Sequence, residues 1–213
     1  MTEDIGSKNL FMMCTSLNRD ALRPMPQGYH VRPCRRDEFG IWKAIHFDDP
    51  ATVQLLDDFM ETYYRDVYVP KGDLFFQKCL FACNAADEPV GTLFDWQAYG
   101  AVTTLHWFKV AKAYEGQGIG RGLMSVVMAA LAPQQYPVYL HTHAGSWRAI
   151  KLYSDFGFAL VTDEQVGFRH NDLDMCMPYL QAHLTAEAFA GLRFVQAGEG
   201  FLRAAASREE EEF

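Results

Sequence analysis

The chain has no long apolar run. Its longest nearly uninterrupted stretch, Leu123 to Ala132, falls well short of the roughly 20 residues that a membrane-spanning helix needs. The N-terminus also lacks the basic-then-apolar pattern of a secretory signal, so the expected compartment is the cytoplasm. There is no C-x-x-C pair. The five cysteines, Cys14, Cys34, Cys79, Cys83 and Cys176, are odd in number and read as buried, reduced thiols rather than a disulfide framework. Cys79 and Cys83 stand four apart with no second Cys/His pair at ligand spacing, so no metal site is expected. Positive charge is in deficit: 19 Lys and Arg face 27 Asp and Glu, a net charge of -8. Such a field repels nucleic acid and anionic membrane and weakly favours a cationic amine. No internal repeat appears. The one low-complexity element is the acidic run 208–213, whose like charges predict a solvated tail.

Against these absences stand 213 residues, 49% of them hydrophobic and 14% aromatic. That is enough for one substantial core, with or without an appendage. Residues 9–34, with Pro24, Pro26, Gly28 and Pro33, read as irregular up to a short strand at Tyr29 to Arg32. Leu56, Phe59, Met60, Tyr63, Tyr64 and Val67 recur at three- and four-residue intervals, which predicts one helix from about Pro50 to Val67 with a core-facing stripe. Leu80 to Cys83 and Val90 to Trp96 flank a polar turn and predict a hairpin. Gly100 separates them from a third strand, Val102 to Val110. A helix over Gly118 to Ala132 ends before Pro133. A strand over Val138 to Thr142, a helix over Trp147 to Phe156 and a strand over Phe158 to Val161 imply a parallel crossover. Leu173 to Phe194 reads as a helical appendage.

Four glycines alternate at Gly116, Gly118, Gly120 and Gly122, where helix propensity alone would exclude so many. Glycine uncovers backbone N–H groups, and a helix N-terminus adds unsatisfied donors and partial positive charge. The segment therefore suits an anion such as pyrophosphate, with Arg121 available for a charged hydrogen bond. The plain alternative is a flexible turn with close helix packing. A G-x-G-x-x-G fingerprint fails, because it needs glycine at Arg121 or Leu123. A P-loop fails for want of a following Gly-Lys-Ser/Thr.

The strand LHWFKV, the turn EGQGIGRGLM, the strand YPVYLHTH and the stretch SWRAIKLYSDFGF together resemble the GNAT superfamily of acyl-CoA-dependent N-acetyltransferases over roughly residues 29–162. The resemblance implies an α+β, three-layer fold: a mixed, mostly antiparallel central sheet with helices on both faces and a splayed parallel strand pair, here with a C-terminal helical appendage. It divides the chain into an N-terminal extension (1–28), the acetyltransferase domain (29–162), the appendage (163–207) and the acidic tail (208–213). It implies acetyl-CoA as acyl donor. Backbone groups at Phe108 and Val110 would pair with pantetheine, and Gln117, Gly118, Ile119, Gly120 and Arg121 would hold the pyrophosphate. Glu115 departs from the family's Gln or Arg, and a carboxylate there is expected to point into solvent. Ala149, Ile150, Leu152, Tyr153, Gly157 and Phe158 resemble the family's second signature. Ser146 stands at its asparagine position, as a cofactor contact or as the cap of the next helix.

Transfer from a thioester to an amine needs a neutral amine, a polarised carbonyl and a proton for the departing thiolate. Tyr153 resembles the family's general acid, and a backbone N–H near Val110 would polarise the carbonyl. His106, His141 and His143 have the ordinary pKa of a base near 6.5; Asp95 and water-mediated deprotonation stay open. Phe94, Trp96, Tyr99 and Trp107 are candidates to line an acceptor pocket, although alternation along strands turns about half of them to the core. The implied partners are acetyl-CoA and an amine acceptor, with no nucleic acid or membrane; a homodimer stays open. The competing class is a non-catalytic acyl-CoA-binding or regulatory module.

Overall fold

The structure is a computed structural model that describes residues 4–207; the acidic run 208–213 lies outside the described residues. In chain order the strands are β1 (Asn9–Cys14), β2 (His30–Pro33), β3 (Leu80–Cys83), β4 (Pro89–Ala98), β5 (Val102–Val110), β6 (Val138–His143), β7 (Ala159–Val161), β8 (Gln165–Val166), β9 (Arg169–His170) and β10 (Phe194–Val195). The α-helices are α1 (Phe39–Ile45), α2 (Pro50–Tyr63), α3 (Leu74–Lys78), α4 (Ile119–Ala130), α5 (Trp147–Asp155), α6 (Leu173–His183), α7 (Ala186–Ala190) and α8 (Glu199–Ala206).

Two compact units emerge. One is built from the described residues of Met1–Ala21, Gln97–Thr104 and Ala132–Phe213, the other from Leu22–Trp96 and Leu105–Leu131. In the first unit the strand order is β10-β7-β1-β6-β5. β1 runs antiparallel to β6 from Asn9↔His143 to Cys14↔Val138 and antiparallel to β7 at Met12↔Leu160. β5 joins β6 in parallel at Thr103↔Val138 and Thr104↔Tyr139, while β6 and β7, the strands read as a parallel crossover, share a direction but do not pair, because β1 lies between them antiparallel to both. In the second unit the order is β5-β4-β3-β2, with β2, β3 and β4 antiparallel. Tyr99 and Gly100, at φ 53° and 72°, reverse the chain between β4 and β5, closed by Ala101 N–H to Ala98 O at 3.1 Å. Two successive positive φ angles match the right-handed twist of the strands they join. The strands thus form a mixed, mostly antiparallel sheet of eight with β8-β9 as a separate ribbon, an α+β architecture.

The reading of residues 9–34 as irregular is corrected at Asn9–Cys14. Leu10, Phe11, Met12, Met13 and Cys14 are all buried, because β1 lies between β6 and β7 and both of its faces are covered. A strand buried on both faces carries no polar alternation to announce it. The C-terminal segment is helical over α6 and α7, as read, but it adds β10, parallel to β7, and α8. Phe201 of α8 stacks on Tyr139 of β6, with ring centroids 3.8 Å apart and planes 12° from parallel. It joins Phe11, Met13, Val102 and Val161 in the first unit's core. Each such buried side chain contributes about 1.5–3 kcal/mol.

In the second unit, Asp49 caps α2 by accepting the Thr52 N–H at 2.9 Å, with Pro50 at the first helical position. The helix expected to reach Val67 closes at Tyr63 and continues as one π-helical turn, Tyr64–Tyr68. A π-turn shifts the helical phase, so Tyr68, outside the sequence stripe, becomes fully buried, while Phe59 within it stays 54% exposed. The Tyr68 ring packs against Phe75 and Trp96 at 5.0 and 4.8 Å. The five cysteines are all buried and unpaired with one another, as the composition predicts.

Candidate active site

Beyond β5, Lys112–Tyr114 makes one 3-10 turn, and Gly116 and Gly118 then take φ 76° and 83°. Those left-handed angles explain the two glycines, since a side chain there is strained. Gly118 is the N-cap of α4 and supplies no side-chain oxygen to cap the helix. The first-turn N–H groups of α4 thus meet no capping side chain at their own N-terminus, where the helix dipole places partial positive charge. Gly122 has another reason. A Cβ there would lie 2.6 Å from Met25 Sδ and 3.0 Å from Met25 Cα, so this glycine admits the Pro24–Pro26 segment against the helix. Tyr29 donates its hydroxyl to Gln117 Oε1 at 2.8 Å, and Glu115 is exposed.

The preceding strand holds an irregularity that the sequence did not disclose. Trp107, in the interior of β5, has φ 56°, a conformation costing on the order of 1–3 kcal/mol for a bulky residue. Its indole Nε1–H donates to Tyr68 Oη at 2.9 Å. The same oxygen lies 2.7 Å from Nδ1 of His106, the residue before it. His106 is 4% exposed, and burial holds its pKa down to about 3. Its Nε2 and those of His46 and Trp42 (Nε1) in the same aromatic cluster are shut from solvent without a protein partner. Phe108 and Val110 are half-buried. Of the aromatics expected near an acceptor, Phe94 and Trp96 are buried and Trp107 packs on His46 at 4.7 Å. Asp95 is paired with Lys78 at 2.7 Å. A cleft of about 350 Å³ opens between α1 and the start of α2, lined by Ile41, Ile45, Phe47 and Val53, with Asp48 as its one acid.

In the first unit, Tyr153 of α5 is buried, and desolvation raises its phenol above the ordinary value near 10. Ser146 precedes α5 without making a cap bond and is exposed. His141 has both nitrogens engaged: Nε2 lies 3.0 Å from Asn9 Oδ1, and Nδ1 lies 3.3 Å from Arg169 Nη1. Guanidinium only donates, so Nδ1 accepts and the proton sits on Nε2. His143 is exposed, 4.8 Å from the His141 ring. Among the described residues one trio has metal-ligand spacing, His30, Cys83 and Asp87. The Asp87 carboxylate already takes bonds from Arg32 and Arg35 at 2.7 and 2.6 Å.

The family model "Acetyltransferase (GNAT) family" matches residues 50–158, over half of the chain and spanning the β5–turn–α4 segment. The chain belongs to the GNAT acetyltransferase family. Solved structures agree on the fold. A GNAT-family acetyltransferase from Colwellia psychrerythraea superposes with a TM-score of 0.51 at 16% identity, covering 72% of this chain and 53% of that one. A tandem GNAT protein from the clavulanic acid biosynthesis pathway gives 0.53 at 14% identity, with coverages of 73% and 50%. The chain therefore spans about half the length of these relatives. Among curated proteins, none matches. No helix of the described residues is long and apolar enough to cross a membrane.

Proposed function

We propose that the chain moves an acetyl group from acetyl-CoA to a primary amine by direct attack, with no covalent enzyme intermediate. The observation that carries this reading is the start of α4: a GNAT-family helix that opens on two left-handed glycines with no capping side chain. Such a terminus suits an anion the size of a pyrophosphate. Backbone groups of Gln117, Gly118, Ile119, Gly120 and Arg121 hold that anion, and those of Phe108 and Val110 pair with the pantetheine. The exposed Glu115 adds a repulsion weakened by solvent.

Acetyl-CoA supplies an activated thioester; the remaining roles belong to the chain. A β5 backbone N–H polarises the carbonyl, which is worth most where charge develops. Tyr153 gives its proton to the departing sulfur. Its desolvated phenol stays protonated across the neutral range, as a donor requires. Ser146, exposed and free of a capping role, is left for a cofactor hydrogen bond. For deprotonation of the ammonium, the commitment of both His141 nitrogens and the burial that holds His106 neutral against Tyr68 favour water over either histidine. The acceptor's apolar part is received by the cleft at Ile41, Ile45 and Val53.

Calorimetric titration with acetyl-CoA tests the binding half of this reading. A saturating exotherm is expected, and it should be abolished by Gly118→Val, whose side chain cannot take φ 83° without strain. Absence of heat at millimolar acetyl-CoA overturns the reading. The departures at Glu115 and Ser146 favour a second one, a non-catalytic acyl-CoA-binding module, which predicts the same heat without turnover.

A further inference from the structure

Successive side chains of a regular strand point to opposite faces, yet His106 and Trp107 both reach one oxygen. Tyr68 Oη lies 2.7 Å from His106 Nδ1 and 2.9 Å from Trp107 Nε1. The positive φ of Trp107 reconciles the two, because it turns the indole out of the strand's alternation. A tryptophan keeps such an angle only where its surroundings over-determine it. Its ring is held by Trp42, His46 and Tyr63 at 5.8, 4.7 and 5.2 Å, and its polar edge by the Tyr68 hydroxyl. Tyr68 is itself fixed: it closes the π-turn Tyr64–Tyr68 and is completely buried.

We propose that Tyr68 is a positioning residue that clamps the kink of β5 at Trp107 and so sets the aim of the backbone groups from Trp107 to Val110. The clamp is a property of the free chain. Its catalytic consequence rests on the acyltransferase reading, which assigns pantetheine and the thioester carbonyl to that stretch. The pyrophosphate grip lies further along, at Gln117 to Arg121, so loss of the clamp should damage the chemical step more than cofactor binding.

Tyr68→Phe keeps the ring and deletes the oxygen. In ¹H–¹⁵N spectra of the unliganded chain, the amides of Trp107 to Val110 should shift while those of Gly116 to Arg121 hold their positions. Unmoved Trp107 to Val110 amides overturn the clamp. With acetyl-CoA and an amine, kcat should fall about tenfold or more, the scale of a misaimed carbonyl donor, with the acetyl-CoA dissociation constant within about twofold. Equal loss in both, or an unchanged kcat, contradicts the positioning role. Trp107→Gly separates clamp from packing, because glycine adopts positive φ without help. Adding Tyr68→Phe to that variant should cost no further kcat, whereas a merely structural tyrosine would cost the same in either background. Should the wild-type chain neither bind acetyl-CoA nor release thiol, the acyltransferase reading falls and the amide shifts still decide the clamp.

Discussion

Tyr153 and the buried histidines show how desolvation sets protonation at single residues. With its phenol pushed above the usual range by burial, Tyr153 is a neutral donor at every pH an assay would use. Tyr153→Phe should therefore lower kcat by about 10²-fold, the range of general acid catalysis, and leave acetyl-CoA affinity nearly intact. Steady-state thiol release beside a binding titration checks this, and an unchanged kcat removes Tyr153 from the acid role. His46 and His106 are held near 3 by burial, and His141 is lowered by burial and by Arg169. All lie below the unfolded value near 6.5, so the unfolded chain binds more protons between the two values. Stability should be full above about pH 6.5 and be lost progressively as pH falls toward 3. Thermal melts from pH 7 to pH 4 should show a falling Tm that His106→Gln partly flattens. A Tm independent of pH over that window would contradict the buried, neutral assignment.

At the scale of elements, the turn before α4 was legible because left-handed backbone leaves a mark in sequence: glycine. Gly116 and Gly118 carry that mark for conformation, whereas Gly122 carries it for packing against Met25. Spacing alone could not separate the two causes. The difference is testable. Gly118→Ala should weaken acetyl-CoA binding, while Gly122→Ala should destabilise the fold by about 1–3 kcal/mol through overpacking with affinity nearly kept. Denaturant melts and titrations on both variants give the answer, and the reverse pattern would refute it. The kink at Trp107 left no mark, because it is maintained by a tyrosine 39 residues earlier rather than by a local glycine. β1 escaped for a different reason. Its Leu-Phe-Met-Met-Cys run shows no period of two, since both of its faces are buried. The π-turn escaped because it breaks the phase that helix periodicity relies on. Elements with one solvated side or a glycine-set angle were readable; those defined by distant neighbours were not.

For the whole molecule, a net charge of -8 and a mixed sheet of eight strands suit a family in which function lives in the residues grafted on a common frame. Acetyl-CoA that binds only the folded chain should raise its Tm by mass action, with about 2.7 kcal/mol of added stability at a hundred times the dissociation constant. The central claim, acetyl transfer to an amine, is tested most directly by following thiol release from acetyl-CoA across a panel of primary amines. The account predicts release that depends on both the chain and one class of amine, and that Tyr153→Phe lowers by about 10²-fold. Saturable acetyl-CoA binding with no amine-dependent release across the panel would contradict it.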